Sequence, residues 1–160
     1  MGTKLASEKR LLSVVLIICS IVMLSGCMDN DEMSFDSLNK SFLQDYSVID
    51  TAVKNERYAA ATTLSWIERA TERDGYIDFE CGGSGMGSQT NYTGFFFTSD
   101  DDPLAMWREN DPSTHVMTAS DFVETRDGWE YRESDHNCGG DNVYLVRKLA
   151  PCYYYYYLHF

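Results

Sequence analysis

A change in the spacing of apolar residues near Gly75 divides the chain into a helical part and a strand-rich part. Before Gly75, apolar side chains recur at steps of three or four over residues 35–53 and again over 60–67. This is the period of an α-helix that buries one face. Ser34 is a suitable N-cap and Gly75 a suitable stop. The pattern predicts one long helix or two shorter helices over residues 35–73.

After Gly75, apolar and polar residues alternate, or β-branched and aromatic residues cluster, as they do in β-strands. The segments with this character are 76–81, 92–98, 116–124, 129–133, 142–148 and 152–158. An N-terminal long helix or helix pair, followed by five or six strands at short spacing, predicts the α+β fold class with a mostly antiparallel sheet.

The first 27 residues are organised like a secretion signal. Lys4, Lys9 and Arg10 precede residues 11–24, which carry no charge. These 14 uncharged residues fall short of the roughly 20 that a membrane-spanning helix needs. A basic start before a short apolar run is typical of a signal peptide. The run ends in Leu24-Ser25-Gly26-Cys27.

This ending resembles the signal of bacterial lipoproteins, whose motif is a leucine, two small residues and a cysteine. The resemblance implies cleavage between Gly26 and Cys27, a diacylglyceryl thioether on the Cys27 sulfur, and acylation of the new amino terminus by a fatty acid such as palmitate. It therefore implies a lipid-anchored protein of the bacterial cell envelope. In the Gram-negative sorting rule, an aspartate directly after the cysteine retains the protein in the inner membrane. Met28 stands there and favours the outer membrane. The predicted organisation is a signal peptide (1–26), a lipidated tether (27–34) and one α+β domain (35–160).

The chain that remains after cleavage is strongly acidic. The signal removes three of 13 basic residues and one of 25 acidic residues, which leaves 10 and 24 and a formal charge of −14. Nucleic-acid binding needs a basic stripe, and this composition argues against it. An acidic field attracts cations and basic proteins. The predicted partners are thus the membrane, through the anchor, and a basic protein. The alternative is that the acidity only keeps the domain soluble.

Three cysteines remain besides Cys27, and the envelope is an oxidising compartment. Cys81 and Cys138 are each followed by two glycines, which relieve backbone crowding where two segments meet. We predict a disulfide between Cys81 and Cys138, with Cys138–Cys152 as the alternative. The thiols lack the Cys-x-x-Cys spacing of a metal site.

Two polar loops contain oxygen ligands that a cation could use. Asp100, Asp101 and Asp102 are consecutive, and residues 134–142 contain two aspartates, two asparagines and His136. The ladder of a calcium-binding loop is missing from both. We interpret the first as a solvated acidic loop and the second as turn chemistry. The sequence predicts no metal site.

No motif indicates catalysis or a cofactor. The histidines, His115, His136 and His159, would need a nucleophilic serine or cysteine and an orienting carboxylate beside them. Residues 82–87 depart from the Gly-x-Ser-x-Gly elbow by one residue, and residues 83–88 from the dinucleotide-binding pattern by one. We predict no catalytic residues and no cofactor.

Residues 153–157 are five consecutive tyrosines. In a strand, Tyr154 and Tyr156 share a face with Phe160, and the other tyrosines lie opposite. One face is predicted core. The other is either an exposed aromatic stripe suited to adhesion or a surface covered by the helix. Tyr92, Trp107 and Trp129 are interpreted as core and loop anchors.

These observations favour a non-enzymatic envelope lipoprotein that binds another protein, as an assembly, inhibitor or immunity-type factor. One alternative is a small periplasmic enzyme. Another is a pilin-like subunit, because an apolar segment, a long helix and a sheet with a late disulfide resemble that family's layout. Lys9, Arg10 and the short apolar run depart from it.

Overall fold

The computed structural model describes residues 33–86, 89–108, 118–136 and 140–160. The predicted signal peptide and Cys27 lie outside these residues, as do His115 and Cys138. Across the described ranges, no helix combines the length and the apolar character required to cross a membrane.

Within the described residues one α-helix, α1, spans Phe35–Lys54, and it begins where the sequence places its cap. The backbone N–H of Ser37 donates to the Ser34 hydroxyl at 3.3 Å, and Asp36 lies in the first turn, where its charge complements the helix dipole. One stripe of α1 is buried: Leu38, Phe42, Ile49, Ala52 and Val53.

The predicted continuation of the helix to residue 73 is wrong. After Lys54 the backbone reverses at Glu56, which has φ +54°, and a short 3₁₀ segment follows at Tyr58–Thr63. The Thr62 and Thr63 hydroxyls in this segment donate to backbone carbonyls three residues earlier, which competes with a regular helix. The chain then forms a strand that the periodicity did not reveal.

The described residues contain seven strands: β1 Arg69–Arg73, β2 Tyr76–Met86, β3 Gln89–Phe97, β4 Val123–Thr125, β5 Gly128–Arg132, β6 Val143–Ala150 and β7 Tyr153–His159. They form one antiparallel sheet in the order β1-β2-β3-β7-β6-β5-β4. The predicted α+β domain with a long helix or helix pair and five or six strands is therefore wrong. The described chain has one α-helix and seven strands, and more of its residues lie in strands than in helices.

Gly75, which the sequence suggested as the stop of a helix, lies instead in the turn of a β-hairpin. It follows Asp74 in the two-residue turn between β1 and β2 and has φ +81°, a conformation that glycine adopts without strain. Of the predicted strand over 116–124, only Val123 and Glu124 lie in a strand within the described residues. Within its described part, a 3₁₀ turn at Ala119–Asp121 precedes the three residues of β4.

Both faces of the sheet are covered, so the fold has two apolar cores. On one face α1 packs against Phe95 and Tyr153, whose rings contact Phe42 at centroid distances of 5.4 and 5.2 Å. On the other face the chain around a 3₁₀ turn at Ala105–Trp107 packs on the sheet. The core members on that face include Phe96, Trp107, Tyr144, Val146, Tyr154 and Tyr156.

The tyrosine run is buried on both faces of β7. Tyr153 and Tyr155 belong to the α1 core, and Tyr154 and Tyr156 belong to the opposite core. The exposed adhesive stripe considered for this run therefore does not exist at these four positions. The helix covers one face, and a loop layer covers the other.

Candidate functional site

The three consecutive aspartates build the fold instead of a cation site. Asp101 Oδ1 accepts from the Tyr154 hydroxyl and from the backbone N–H of Cys152, both at 2.7 Å. Its Oδ2 accepts from Lys148 Nζ at 2.7 Å. Hydrogen bonds from Lys148, then Tyr154 and Cys152, lower the pKa of Asp101 to about 2. This carboxylate ties the loop after β3 to the turn between β6 and β7.

The two neighbouring carboxylates are also engaged. Asp100 accepts from the Thr98 hydroxyl. Asp102 is buried, accepts from the backbone N–H of Leu104 at 3.1 Å, and forms an ion pair with Arg108 that lacks hydrogen-bond alignment. The interpretation of a solvated loop is therefore wrong for Asp102. Among the described residues, no three histidine, cysteine, aspartate or glutamate side chains are placed to hold a metal ion.

Cys81 and Cys152 are free thiols in the described structure. Burial raises the pKa of the Cys81 thiol well above its usual value, so this thiol is a poor nucleophile. Cys138 lies outside the described residues, and its pairing with Cys81 stays a prediction.

His159 contacts an amide instead of a carboxylate. Its Nδ1 lies 2.6 Å from Asn91 Oδ1, which also accepts from the Tyr157 hydroxyl at 3.2 Å. The Asn91 amide donates to the Ser84 hydroxyl at 3.4 Å. Asn91 therefore stands between the serine and the imidazole, and no described contact activates Ser84. The side chains of the other two histidines lie outside the described residues.

Two aromatic side chains are exposed on the opposite face of this sheet end. Tyr92 is 43% and Phe160 38% exposed, although the sequence suggested that Tyr92 anchors the core. Their rings meet edge to face at a centroid distance of 6.0 Å, and Phe160 contacts buried Tyr144 at 5.2 Å. The pair is thus an exposed extension of the second core.

The position of this pair is set by backbone pairing. The N–H of Phe160 donates to the carbonyl of Thr90 at 3.0 Å, and the N–H of Thr90 donates back at 3.2 Å. Tyr92 lies directly opposite Gly83 in the β2–β3 register. A Cβ at Gly83 would come within 3.2 Å of the Tyr92 ring and 2.8 Å of the Asn91 carbonyl oxygen. Glycine therefore lets the ring lie close over β2.

An acidic cleft of about 260 Å³ adjoins Tyr92. Its lining includes Glu68, Glu80, Thr90 and residues 82–85 of β2. Arg69 Nη2 donates to Glu80 Oε2 at 2.6 Å, and the guanidinium is largely exposed. We call the combined area the end surface and define it by Glu68, Glu80, residues 82–85, Tyr92 and Phe160.

Sequence reasoning did not find the end surface. Alternation places Phe160 on a strand face, but its ring neighbours, Tyr92 of β3 and Tyr144 of β6, are defined only by the register of the sheet. The available signal was the glycine-rich composition of 82–85, since glycines inside a strand indicate a bulge or a close backbone approach. The register does shift between Glu80 and Gly82.

Comparison with known proteins finds no family model, no curated protein and no solved structure that matches this chain.

Proposed function

We propose that this chain is a small acidic lipoprotein of the bacterial cell envelope that binds a basic protein through the end surface, without catalysis. The observation that carries the proposal is the exposed pair Tyr92 and Phe160, with Tyr92 lining the same cleft as Glu68 and Glu80. The anchor is proposed from the resemblance of residues 24–27 to the lipoprotein signal, and Met28 favours the outer membrane.

The aromatic pair has the properties of a binding anchor. Large aromatic side chains supply much of the energy of protein interfaces, because they bury a large area at a low cost in conformational entropy. Here the backbone hydrogen bonds of Phe160 and the contact of its ring with Tyr144 hold the pair in place before binding. Little order has to be gained when a partner arrives.

Charge selects a basic partner. The mature chain carries a formal charge of −14, which accelerates encounter with basic proteins by long-range attraction. Glu68 and Glu80 line the cleft that adjoins Tyr92, where a lysine or arginine of the partner would meet them. Salt should therefore weaken the complex mainly by slowing association.

The anchor is tested by labelling cells with a palmitate analogue. Wild-type protein should incorporate the label and lose residues 1–26, and a Cys27→Ser variant should do neither. An unlabelled wild-type protein that retains residues 1–26 would contradict the anchor and favour the pilin-like alternative.

The binding function is tested by capture from detergent-solubilised envelopes at low and high salt. A Tyr92→Ala/Phe160→Ala variant should lose the partner that the wild type retains. Leu43→Ala is the matched control, because Leu43 is an exposed apolar residue on α1. Equal recovery by wild type and double variant, or no specific partner at any salt, would contradict the proposal.

A further inference from the structure

The glycine-rich half of β2 forms an open edge of the sheet. β1 pairs with β2 only between Tyr76 and Glu80. One further hydrogen bond joins the N–H of Glu68 to the carbonyl of Glu80 at 2.8 Å. Just before Glu68, the chain turns away to bury Ile67 in the α1 core. Along residues 82–86, β2 pairs with β3 on one side, and on the other side no described strand pairs with it.

This edge has a register shift between Glu80 and Gly82, but it lacks the charged side chains and the shortness that protect the other edges of the sheet. Strand β1 carries Arg69, Glu72 and Arg73, and β4 has only three residues; charge and shortness both discourage edge pairing. In contrast, residues 82–85 read Gly-Gly-Ser-Gly, so almost no side chain obstructs an approaching backbone. The acidic cleft lies along this stretch.

We propose that an extended segment of the basic partner adds to the sheet along residues 82–85, in line with β1. This inference rests on the proposed function and specifies how the partner docks. Strand addition to an open edge supplies affinity through backbone hydrogen bonds, and side chains on alternate positions supply specificity. Every second side chain of the added segment would project on the face that carries Glu80 and Tyr92.

Charge favours a basic segment at this edge over a second copy of this chain or its own tether. A second copy of this chain would bring another formal charge of −14 to a cleft that already holds Glu68 and Glu80. The tether of this chain, with Asp29, Asp31 and Glu32, is acidic as well. A segment with lysine or arginine at alternate positions meets the carboxylates instead. Arg69 already contacts Glu80, so the incoming cation shares that carboxylate.

The test uses the full-length protein in detergent and a synthetic peptide with acetyl and amide ends, Lys-Val-Lys-Val-Lys-Val. Two N-methylated forms of the peptide are compared. In one, the backbone nitrogens of the three lysines are methylated, and in the other, the backbone nitrogens of the three valines are methylated. In an added strand, N–H groups of alternate residues point to the sheet edge. One methylation pattern should therefore weaken binding by roughly tenfold or more, and the other should be tolerated. Equal binding of the two patterns would overturn strand addition, because charge attraction alone does not sense backbone methylation.

Two further arms place the peptide and separate this inference from the proposed function. The acidic peptide Glu-Val-Glu-Val-Glu-Val should not bind, and Glu68→Gln/Glu80→Gln should weaken the basic peptide several-fold. The matched control Glu72→Gln, on the β1 edge, should leave the affinity for the basic peptide unchanged. Loss of the envelope partner on Tyr92→Ala/Phe160→Ala, together with equal binding of both methylated peptides, would retain the binding function and overturn strand addition. Pattern-dependent peptide binding without any captured partner would retain the open edge and contradict the proposed function.

Discussion

The hydroxyl of Tyr156 donates a 2.9 Å hydrogen bond to Oδ1 of Asp78, and both residues are buried. Tyr156 lies on β7 and Asp78 on β2, with β3 between them. The tyrosine spans β3 at Gly94, because a Cβ at that position would lie 2.6 Å from the phenol oxygen. Strand β3 therefore has a glycine where a side chain of the neighbouring β7 needs to pass.

This pair predicts a pH dependence of stability. Burial raises the pKa of Asp78 from 3.8 to about 6, although the hydrogen bond from Tyr156 opposes the rise. The folded state therefore holds this proton more tightly than the unfolded state, and the free energy of unfolding falls as pH rises from about 4 to about 6. The rise in the pKa of Asp78 from 3.8 to about 6 corresponds to a change of about 3 kcal/mol in the free energy of unfolding. Asp78→Asn should be more stable than wild type above about pH 7, and the difference should shrink towards about pH 4.

Urea unfolding of both proteins at the two pH values measures this difference. Asp74→Asn, in the exposed turn between β1 and β2, is the matched control and should follow the wild type at both. If the wild type loses no stability relative to Asp78→Asn between about pH 4 and about pH 7, the pKa of Asp78 is not raised in the fold.

Gly94→Ala should destabilise the sheet severely. The new Cβ would lie 2.4 Å from the Phe79 carbonyl oxygen and 2.6 Å from the Tyr156 hydroxyl, and both neighbours are held by the sheet. Overpacking of this kind costs roughly 3 kcal/mol or more. Thermal unfolding should show a large drop in Tm, whereas Ser84→Ala, on the open end of β2, should stay near the wild type. An unchanged Tm for Gly94→Ala would refute the close passage of Tyr156 over β3.

Asp101 should stabilise the fold by a different mechanism. Its hydrogen-bonded carboxylate has a pKa of about 2 in the fold, below the ordinary 3.8. Its stabilisation is therefore present above about pH 4 and is lost as pH falls towards 2. The residue has φ +54°, which asparagine tolerates and alanine does not favour. We expect Asp101→Asn to lower Tm at pH 7 by less than Asp101→Ala, since the amide oxygen keeps the acceptor for Tyr154 and Cys152. Equal Tm values for Asp101→Asn and Asp101→Ala would contradict this role of Asp101 as a hydrogen-bond acceptor.

Thiol labelling should separate the two described cysteines. Cys152 is partly exposed, whereas Cys81 is buried and its pKa is raised. Iodoacetamide at about pH 8 should therefore modify Cys152 much faster than Cys81 in native protein, as read by peptide mass spectrometry. Comparable rates would contradict the burial of Cys81.

Labelling after denaturation without reductant then tests the predicted Cys81–Cys138 disulfide, which would leave Cys81 unmodified.

Local patterns predicted the elements whose own residues define them. The cap at Ser34 and the apolar stripe from Phe35 located the start of α1, and alternation located the strand that contains Tyr153 and Tyr155. Strand β1 was missed because its five residues, Arg-Ala-Thr-Glu-Arg, have no strand signal of their own; it forms because β2 pairs with it across the Asp74-Gly75 turn. The predicted strand over 116–124 overlaps the three-residue β4 only at Val123 and Glu124, because β4 also forms through pairing with its neighbour, β5.

The sequence by itself determined the short-range features of this protein: the start of its helix, most of its strands, its acidity and the lipoprotein-like motif that ends at Cys27. Only the tertiary structure decided that both faces of the tyrosine strand are buried, that Asp101 is a structural link, and that Tyr92 and Phe160 meet on an exposed surface. The physical reason is range. Helix periodicity and strand alternation depend on neighbours a few residues apart, whereas these contacts join residues about 50 to 80 positions apart through a strand order that the local pattern does not contain.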